Sequence, residues 1–174
     1  MLINLTDVFT SEGKERKESF IYEPDCFSYM GSDYRICDKS PVEVTFFNLE
    51  NGKVLMKGSM DLTLEIPCDR CLKMVKQPVH VNFEQEVFSP NADEQSENQD
   101  EQGFMAGYEL DAEALLYGEI LVNMPVKVLC RPDCKGICKQ CGHNLNEGEC
   151  GCDTFIPDPR MAAIKDIFNA DKEV

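Results

Sequence analysis

The chemistry of this chain is concentrated in its thiols. Ten cysteines occur in 174 residues. Eight of them fall into close pairs: Cys68 with Cys71, Cys130 with Cys134, Cys138 with Cys141, and Cys150 with Cys152. Six of the eight lie in one stretch, Leu129 to Cys152, "LCRPDCKGICKQCGHNLNEGECGC". Thiols at such spacing serve disulfide scaffolds, redox couples or metal sites. The opening "MLINLTDVFTSEGKERKESF" lacks the charged n-region and apolar h-region of a signal peptide. The best apolar run, "ALLYGEILVNMPVKVL", is interrupted by Glu119 and Pro125 and is too short to span a bilayer. A soluble, cytoplasmic protein with no membrane partner is therefore expected. A reducing cytosol keeps thiols free unless a metal or a catalytic cycle uses them, which argues against disulfides.

Eight thiolates make two sets of four, and zinc in a structural site takes four tetrahedral ligands. The gap of Cys-x-x-Cys lets both sulfurs reach one ion while nearby backbone N–H groups point at them. In "CKQCGHNL", Gly142 follows the second ligand, where the turn favours a residue free to take positive φ. Four pairs can be grouped into two sites in three ways. Closing a short loop costs less entropy than closing a long one, although the dependence is only logarithmic. The leading grouping joins Cys138, Cys141, Cys150 and Cys152 locally and leaves Cys68, Cys71, Cys130 and Cys134 to bridge distant parts of the chain; the other two groupings stay open. The metal is expected to be structural. A catalytic zinc keeps a position open and recruits His or carboxylate, but the only histidines are His80 and His143 and no His-Glu-x-x-His pattern exists. His143, in a polar turn, is expected to be solvated. Cys26 and Cys37 stand outside the pairs and are expected to be small buried apolar residues. Neither a glycine-rich phosphate loop nor a nucleophile beside a histidine is present, so neither an enzyme nor a small-molecule substrate is expected.

The formal net charge is −15, and two tetrathiolate zinc sites would take it to about −19. So acidic a chain repels phosphate on average, and any nucleic-acid contact needs a local basic surface or a basic protein partner. Arg70 lies within the first cysteine pair and Lys73 and Lys76 follow it, while Lys127 precedes the later cluster and Arg131, Lys135 and Lys139 thread it. These cations offset the thiolate charge and lower thiol pKa values. They can equally form a cationic face that meets RNA phosphates; the two roles are compatible.

The elements that must position these residues are mostly strands. Val54, Met56, Gly58, Met60, Leu62, Leu64 and Ile66 alternate with largely polar neighbours, which predicts a long half-buried strand with a bend at Gly58. Val42 to Phe47 predicts a second strand, joined through the Asn51-Gly52 turn, and Pro78 to Phe88 a third. "ESFIYEP" near the start is a candidate edge strand. The segment 89–103, "SPNADEQSENQDEQG", is acidic and nearly free of apolar residues, so it is expected to be a flexible loop. Asp111 is the expected N-cap of a helix presenting Leu115, Gly118, Leu121 and Val122 on one face and stopped by Pro125. A last short helix is expected from Asp158 as N-cap, with Met161, Ile164, Ile167 and Phe168 on one face.

The order of these features is informative. A long strand ending in "CDRCL", an acidic interruption, "LLYGEILVNMPVKVLC", then "CKGICKQCGHNLNEGECGC" and a closing "DPRMAAIKDIF" resembles the YceD family, the large ribosomal RNA subunit accumulation protein. The resemblance runs from about Pro41 to Phe168. It implies a bacterial cytoplasmic protein, with relatives in plastids, needed for normal accumulation or processing of 23S ribosomal RNA. It also implies a place in large-subunit assembly, since the gene commonly lies beside that of a small zinc-binding ribosomal protein. By the same resemblance Cys68 and Cys71 match the family's first Cys-x-x-Cys, and the six later cysteines match the cluster of its thiol-rich form.

The expected architecture is thus α+β: an antiparallel, curved sheet or partial barrel with a packed helix over residues 1–128, and a zinc-bound cysteine-rich lobe with a C-terminal helix over 129–174. The expected function is non-enzymatic assistance to ribosome assembly. The expected contacts are ribosomal RNA or a large-subunit precursor through Arg70, Lys73, Lys76, Arg131, Lys135 and Lys139, and a basic ribosomal protein. Competing readings are a redox-switched zinc-thiolate chaperone and a protein-binding adaptor without RNA contact.

Overall fold

The structure, a computed structural model, describes residues 1–49, 52–90 and 103–152. Asn51 of the expected turn, residues 91–102 of the acidic segment and the expected helix at 158–168 lie outside the described residues. The elements run in chain order β1 (Leu2–Asn4), α1 (Thr6–Phe9), β2 (Glu15–Phe20), β3 (Cys26–Tyr29), β4 (Ser32–Lys39), β5 (Val42–Asn48), β6 (Lys53–Pro67), β7 (Met74–Phe88), β8 (Met105–Ala106), β9 (Glu109–Asp111) and α2 (Ala112–Asn123). They belong to one of two compact units, Met1–Pro67 with Met74–Val128. The other unit takes Cys68–Lys73 together with the described residues from Leu129 onward.

The strong alternation at residues 53–66 becomes β6, the spine of an antiparallel sheet. β7 pairs with it along its whole length, from Lys53↔Phe88 to Pro67↔Met74. On the other edge of β6, β5 pairs over Val54–Ser59 and β4 over Leu62–Glu65. β2 extends the sheet beyond β5, taking in only Glu18 to Phe20 of the expected edge strand "ESFIYEP", and β3 extends it beyond β4. Among the described residues the six-stranded sheet is open and does not close into a barrel. β7 is an edge, the position in a sheet that tolerates Pro78. A second sheet has the order β1-β9-β8.

Period-two patterning decides what is buried. Val54, Met56, Met60, Leu62, Leu64 and Ile66 of β6 join Val79, Val81, Phe83 and Val87 of β7 in one core. Each such side chain contributes about 1.5–3 kcal/mol by leaving water. At Gly58 the β6 ladder continues without a register shift, opposite Phe83. A Cβ on Gly58 would lie 2.2 Å from Phe83 Cζ, so the glycine is the floor on which the Phe83 ring rests.

The Asp111 side chain caps α2, accepting from the backbone N–H groups of Glu113 at 3.0 Å and Ala114 at 3.3 Å. α2 packs chiefly against β7. Its buried face is Ala112, Leu115, Leu116, Glu119 and Ile120, whereas Val122 is 81% exposed. The helix is thus rotated from the expected face, because it buries the row that begins at Ala112, immediately after the cap. Glu119 is buried and accepts a hydrogen bond from Gln85 Nε2. Burial pushes its carboxyl up, against the lowering effect of the Gln85 amide. Among the described residues no helix is long and apolar enough to cross a membrane.

Cys26 and Cys37 are exposed, contrary to expectation. The strands put Phe27 and Ile36 into the core, and alternation turns Cys26 to the opposite face. Cys37 sits at a bulge, where the β4–β6 register shifts between Ile36 and Asp38.

Candidate metal centre

The second unit contains all eight paired cysteines, gathered into two groups of four. Cys68, Cys71, Cys130 and Cys134 form one, and Cys138, Cys141, Cys150 and Cys152 the other. Within each group the sulfurs lie within 4.8 Å of one another. No cysteine of the chain is in a disulfide. The Cys68 and Cys134 sulfurs are 3.9 Å apart, and those of Cys71 and Cys130 3.5 Å. Four sulfurs at about 2.3 Å from a tetrahedral ion are separated by about 3.8 Å, so the first group has the span such an ion needs. Either group could hold a metal ion.

Local backbone structure explains how each group begins. In the loop from β6 to β7, Cys68 N donates to Lys73 O at 2.8 Å and Leu72 N to Cys68 O at 2.9 Å. In the later loop, Cys138 N donates to His143 O at 2.8 Å and Gly142 N to Cys138 O at 2.9 Å. These are two copies of one knuckle, each folding a Cys-x-x-Cys pair back on itself. The residue after the second cysteine is left-handed in both, with φ +61° at Leu72 and +74° at Gly142. Glycine adopts this conformation freely and leucine does not.

The second half of the first group is joined closely to the first half of the second. Only three residues separate Cys134 from Cys138. Of these, Gly136 has φ +81° and little room for a side chain, since a Cβ would be 3.1 Å from Arg70 O. Ile137 N donates to Arg70 O at 3.1 Å, and Ile137 pairs with Asn144 in an antiparallel bridge. Asn146 closes the arrangement: its Nδ2 donates to Cys134 Sγ at 3.3 Å, and its Oδ1 accepts from Lys135 N at 2.8 Å and Arg131 Nη2 at 2.7 Å. Sequence reading missed Asn146, because "HNLNEGEC" looks like any polar turn and only the fold brings it to a sulfur.

The thiols are electrostatically unequal. Burial pushes Cys68 up, but backbone N–H groups of Arg70, Cys130 and Cys71 outweigh it and bring it down to about 6. The N–H groups of Cys141 and Gln140 likewise bring Cys138 to about 6. Burial and the Cys71 sulfur push Cys130 up to about 12, and the Cys141 and Cys150 sulfurs push Cys152 up to about 12. Each group therefore offers at least one thiol shifted toward thiolate and two shifted away from it, Cys71 and Cys130 in the first and Cys150 and Cys152 in the second; a metal binding there would have to displace their protons, and would bind more weakly as pH falls.

Of the basic residues singled out in the sequence, Arg70, Lys73, Arg131, Lys135 and Lys139 are in this unit and exposed. Arg70 has a structural engagement, donating through Nη1 to Cys134 O at 2.7 Å. Arg131 also lies 3.5 Å from Asp133. Lys76 belongs to the other unit, opposite Glu65 on β6. His143 is exposed, as expected for a solvated turn residue, and contributes its carbonyl to the knuckle.

Fold and site define a class: an open antiparallel-sheet unit, and a small unit organised around two four-cysteine groups that could take metal. Residues 56–168, well over half of the chain, match the family described as large ribosomal RNA subunit accumulation protein YceD, and the chain belongs to that family. Uncharacterised proteins of Mycobacterium tuberculosis and Mycobacterium bovis are 29% identical over 121 residues, 69% of this chain and 58% of theirs. One from Mycobacterium leprae is 29% identical over 93 residues, 53% of this chain and 43% of its own length. The chain thus spans a little over half the length of the first two relatives. No solved structure matches it.

Proposed function

We propose that this protein is a non-enzymatic factor of ribosome assembly, acting in the cytoplasm to support accumulation or processing of 23S ribosomal RNA. Family membership supports the process. The observation that carries the molecular part is the interleaving of ligands and cations in the second unit. Lys73, Lys135 and Lys139 are exposed, and among the described residues their side chains have no partner. Each stands one or two residues from a cysteine, so a metal-fixed backbone presents them in a defined pattern. The metal at each group is zinc, for which four thiolates in a tetrahedron are a usual structural donor set. Its role is to shape the unit. The chain's charge of −15 additionally suits a basic ribosomal protein as a second partner.

The test is association of the full-length protein with large-subunit precursor particles, together with the state of 23S RNA after depletion. Cosedimentation with precursors and accumulation of immature 23S RNA are expected. Free sedimentation together with unchanged 23S RNA contradicts the proposal. In vitro, neutralisation of four phosphates on a single strand by Lys73, Arg131, Lys135 and Lys139 gives a slope of log affinity against log salt near −2.8.

A further inference from the structure

Beside the first four-cysteine group lies a cavity of about 230 Å³, with two cysteines of that group, Cys71 and Cys130, in its wall. It is smaller than the ~300–1,000 Å³ of pockets that enclose drug-sized molecules, and so suits a single ring system. Its lining is chemically lopsided. Cys71 and Cys130 bring sulfur, and Glu147 a carboxylate. The amides that line it are already committed: Asn144 Nδ2 donates to Glu147 Oε1 at 3.0 Å, and Asn146 Nδ2 to Asn144 Oδ1 at 2.8 Å and to Cys134 Sγ. What remains available inside is acceptor capacity on anionic groups. A phosphate is repelled there, whereas a neutral group rich in N–H donors is not. Two exposed cations, Lys73 and Arg131, line the same cavity.

A ligand that satisfies both features carries adjacent N–H donors and an anion on one short framework. A nucleotide does so. Among the RNA bases only guanine offers two neighbouring donors, N1–H and the N2 amino group, on its Watson–Crick edge, the edge by which proteins read unstacked bases. An arginine side chain of a basic protein would satisfy the acceptors, but Lys73 and Arg131 would repel it. We propose that this cavity binds an unpaired guanosine of single-stranded RNA, with the Glu147 carboxylate accepting from the base edge and Lys73 and Arg131 holding the adjoining phosphate. The inference rests on the RNA-binding reading above and adds a base preference to it.

The test uses the full-length, metal-loaded protein and fluorescence anisotropy with the pentamers UUGUU, UUAUU, UUCUU and UUUUU, and UUIUU, whose inosine lacks the N2 amino group. UUGUU is expected to bind tenfold or more tighter than the A, C and U forms, with UUIUU losing much of that advantage. Glu147→Gln, checked for unchanged metal content, is expected to abolish the preference, and Glu149→Gln, an exposed acid that does not line the cavity, to preserve it. Equal affinity for all pentamers, or a preference that survives E147Q, overturns the guanosine site while leaving general RNA binding standing. No binding of any pentamer or of 23S RNA overturns both readings. A hexa-arginine peptide that displaces UUGUU from the native protein but not from E147Q would assign the cavity to a protein partner and overturn the proposal. Displacement of UUGUU by an equal concentration of GMP would assign it to a free nucleotide and overturn it too.

Discussion

Leu72 occupies in the first knuckle the place of Gly142 in the second, with φ +61° and 62% of its surface exposed. Its side chain therefore gains little from burial and holds a left-handed backbone that costs a β-carbon-bearing residue about 1–2 kcal/mol. Leu72→Gly is expected to stabilise the knuckle by up to about 1 kcal/mol, after glycine's extra chain entropy is subtracted. Slower metal loss to a chelator from the first group would show this, and faster loss would contradict it. Asn146 acts in the opposite sense. Removing its N–H···S bond by Asn146→Ala is expected to weaken metal binding at the first group about 10–100-fold, the usual effect of losing a partner that orients a ligand. A competition titration with a coloured chelator reads the change, which should leave the second group's affinity nearly unaltered. The eight paired cysteines were legible as candidate ligands because pairing at short spacing is a local signal, and the fold gathers them into two groups of four. Asn146 was not, since its role depends on a contact made only when residues 134 and 146 meet. Cys26 and Cys37 were misjudged for a related reason: composition says that lone cysteines are usually buried, but strand parity and a bulge decide which face they take.

At the scale of elements, alternation made β6 and β7 readable, and the Asp111 cap made the start of α2 readable. What escaped was what each element faces. Gly58 looks like a weak point in a strand, yet it gives Phe83 its seat. Gly58→Ala is expected to cost about 1–3 kcal/mol through overpacking, read as a lower urea midpoint, with Phe83→Leu recovering part of the loss in the double variant. α2 was placed correctly along the chain but rotated, because its buried row includes an acid, Glu119, that hydrophobic patterning assigns to solvent. That acid makes stability depend on pH. Burial raises the folded-state pKa above the unfolded value, so folding favours the protonated form. The associated stability is complete below the ordinary glutamate range and is lost as pH rises through the raised value. Glu119→Gln keeps an acceptor for Gln85 and removes the titration. Its urea midpoint relative to the native protein is therefore expected to rise between about pH 4 and pH 7. A difference independent of pH would rule out this source of the effect.

At the scale of the molecule, the two units are built on different principles. The first has a continuous hydrophobic core running from Ile3 to Val128. In the second, among the described residues, the buried hydrophobic positions are all cysteines: Cys68, Cys71, Cys134 and Cys138. A segment with so little apolar surface to hide is expected to depend on its metal, as small metal-held modules do. Chelation should therefore abolish amide-exchange protection around residues 130–146 while the central ladder of β6 and β7 stays protected, and restoring zinc should recover it. Division of labour on this scale follows from the sequence only in part. The cysteine count announces candidate metal sites, whereas the assignment of Cys68–Lys73 to the same unit as Leu129 and the described residues after it requires the fold.

The account stands on the claim that two metal ions, each on four cysteines, organise the second unit. The most direct test is native mass spectrometry, with elemental analysis, of full-length protein purified without chelator. Two zinc ions per chain are predicted, falling to one in Cys138→Ser and to one in Cys68→Ser. A metal-free chain that still shows a protected second unit would contradict the account, as would a Cys138→Ser variant that loses neither ion or both.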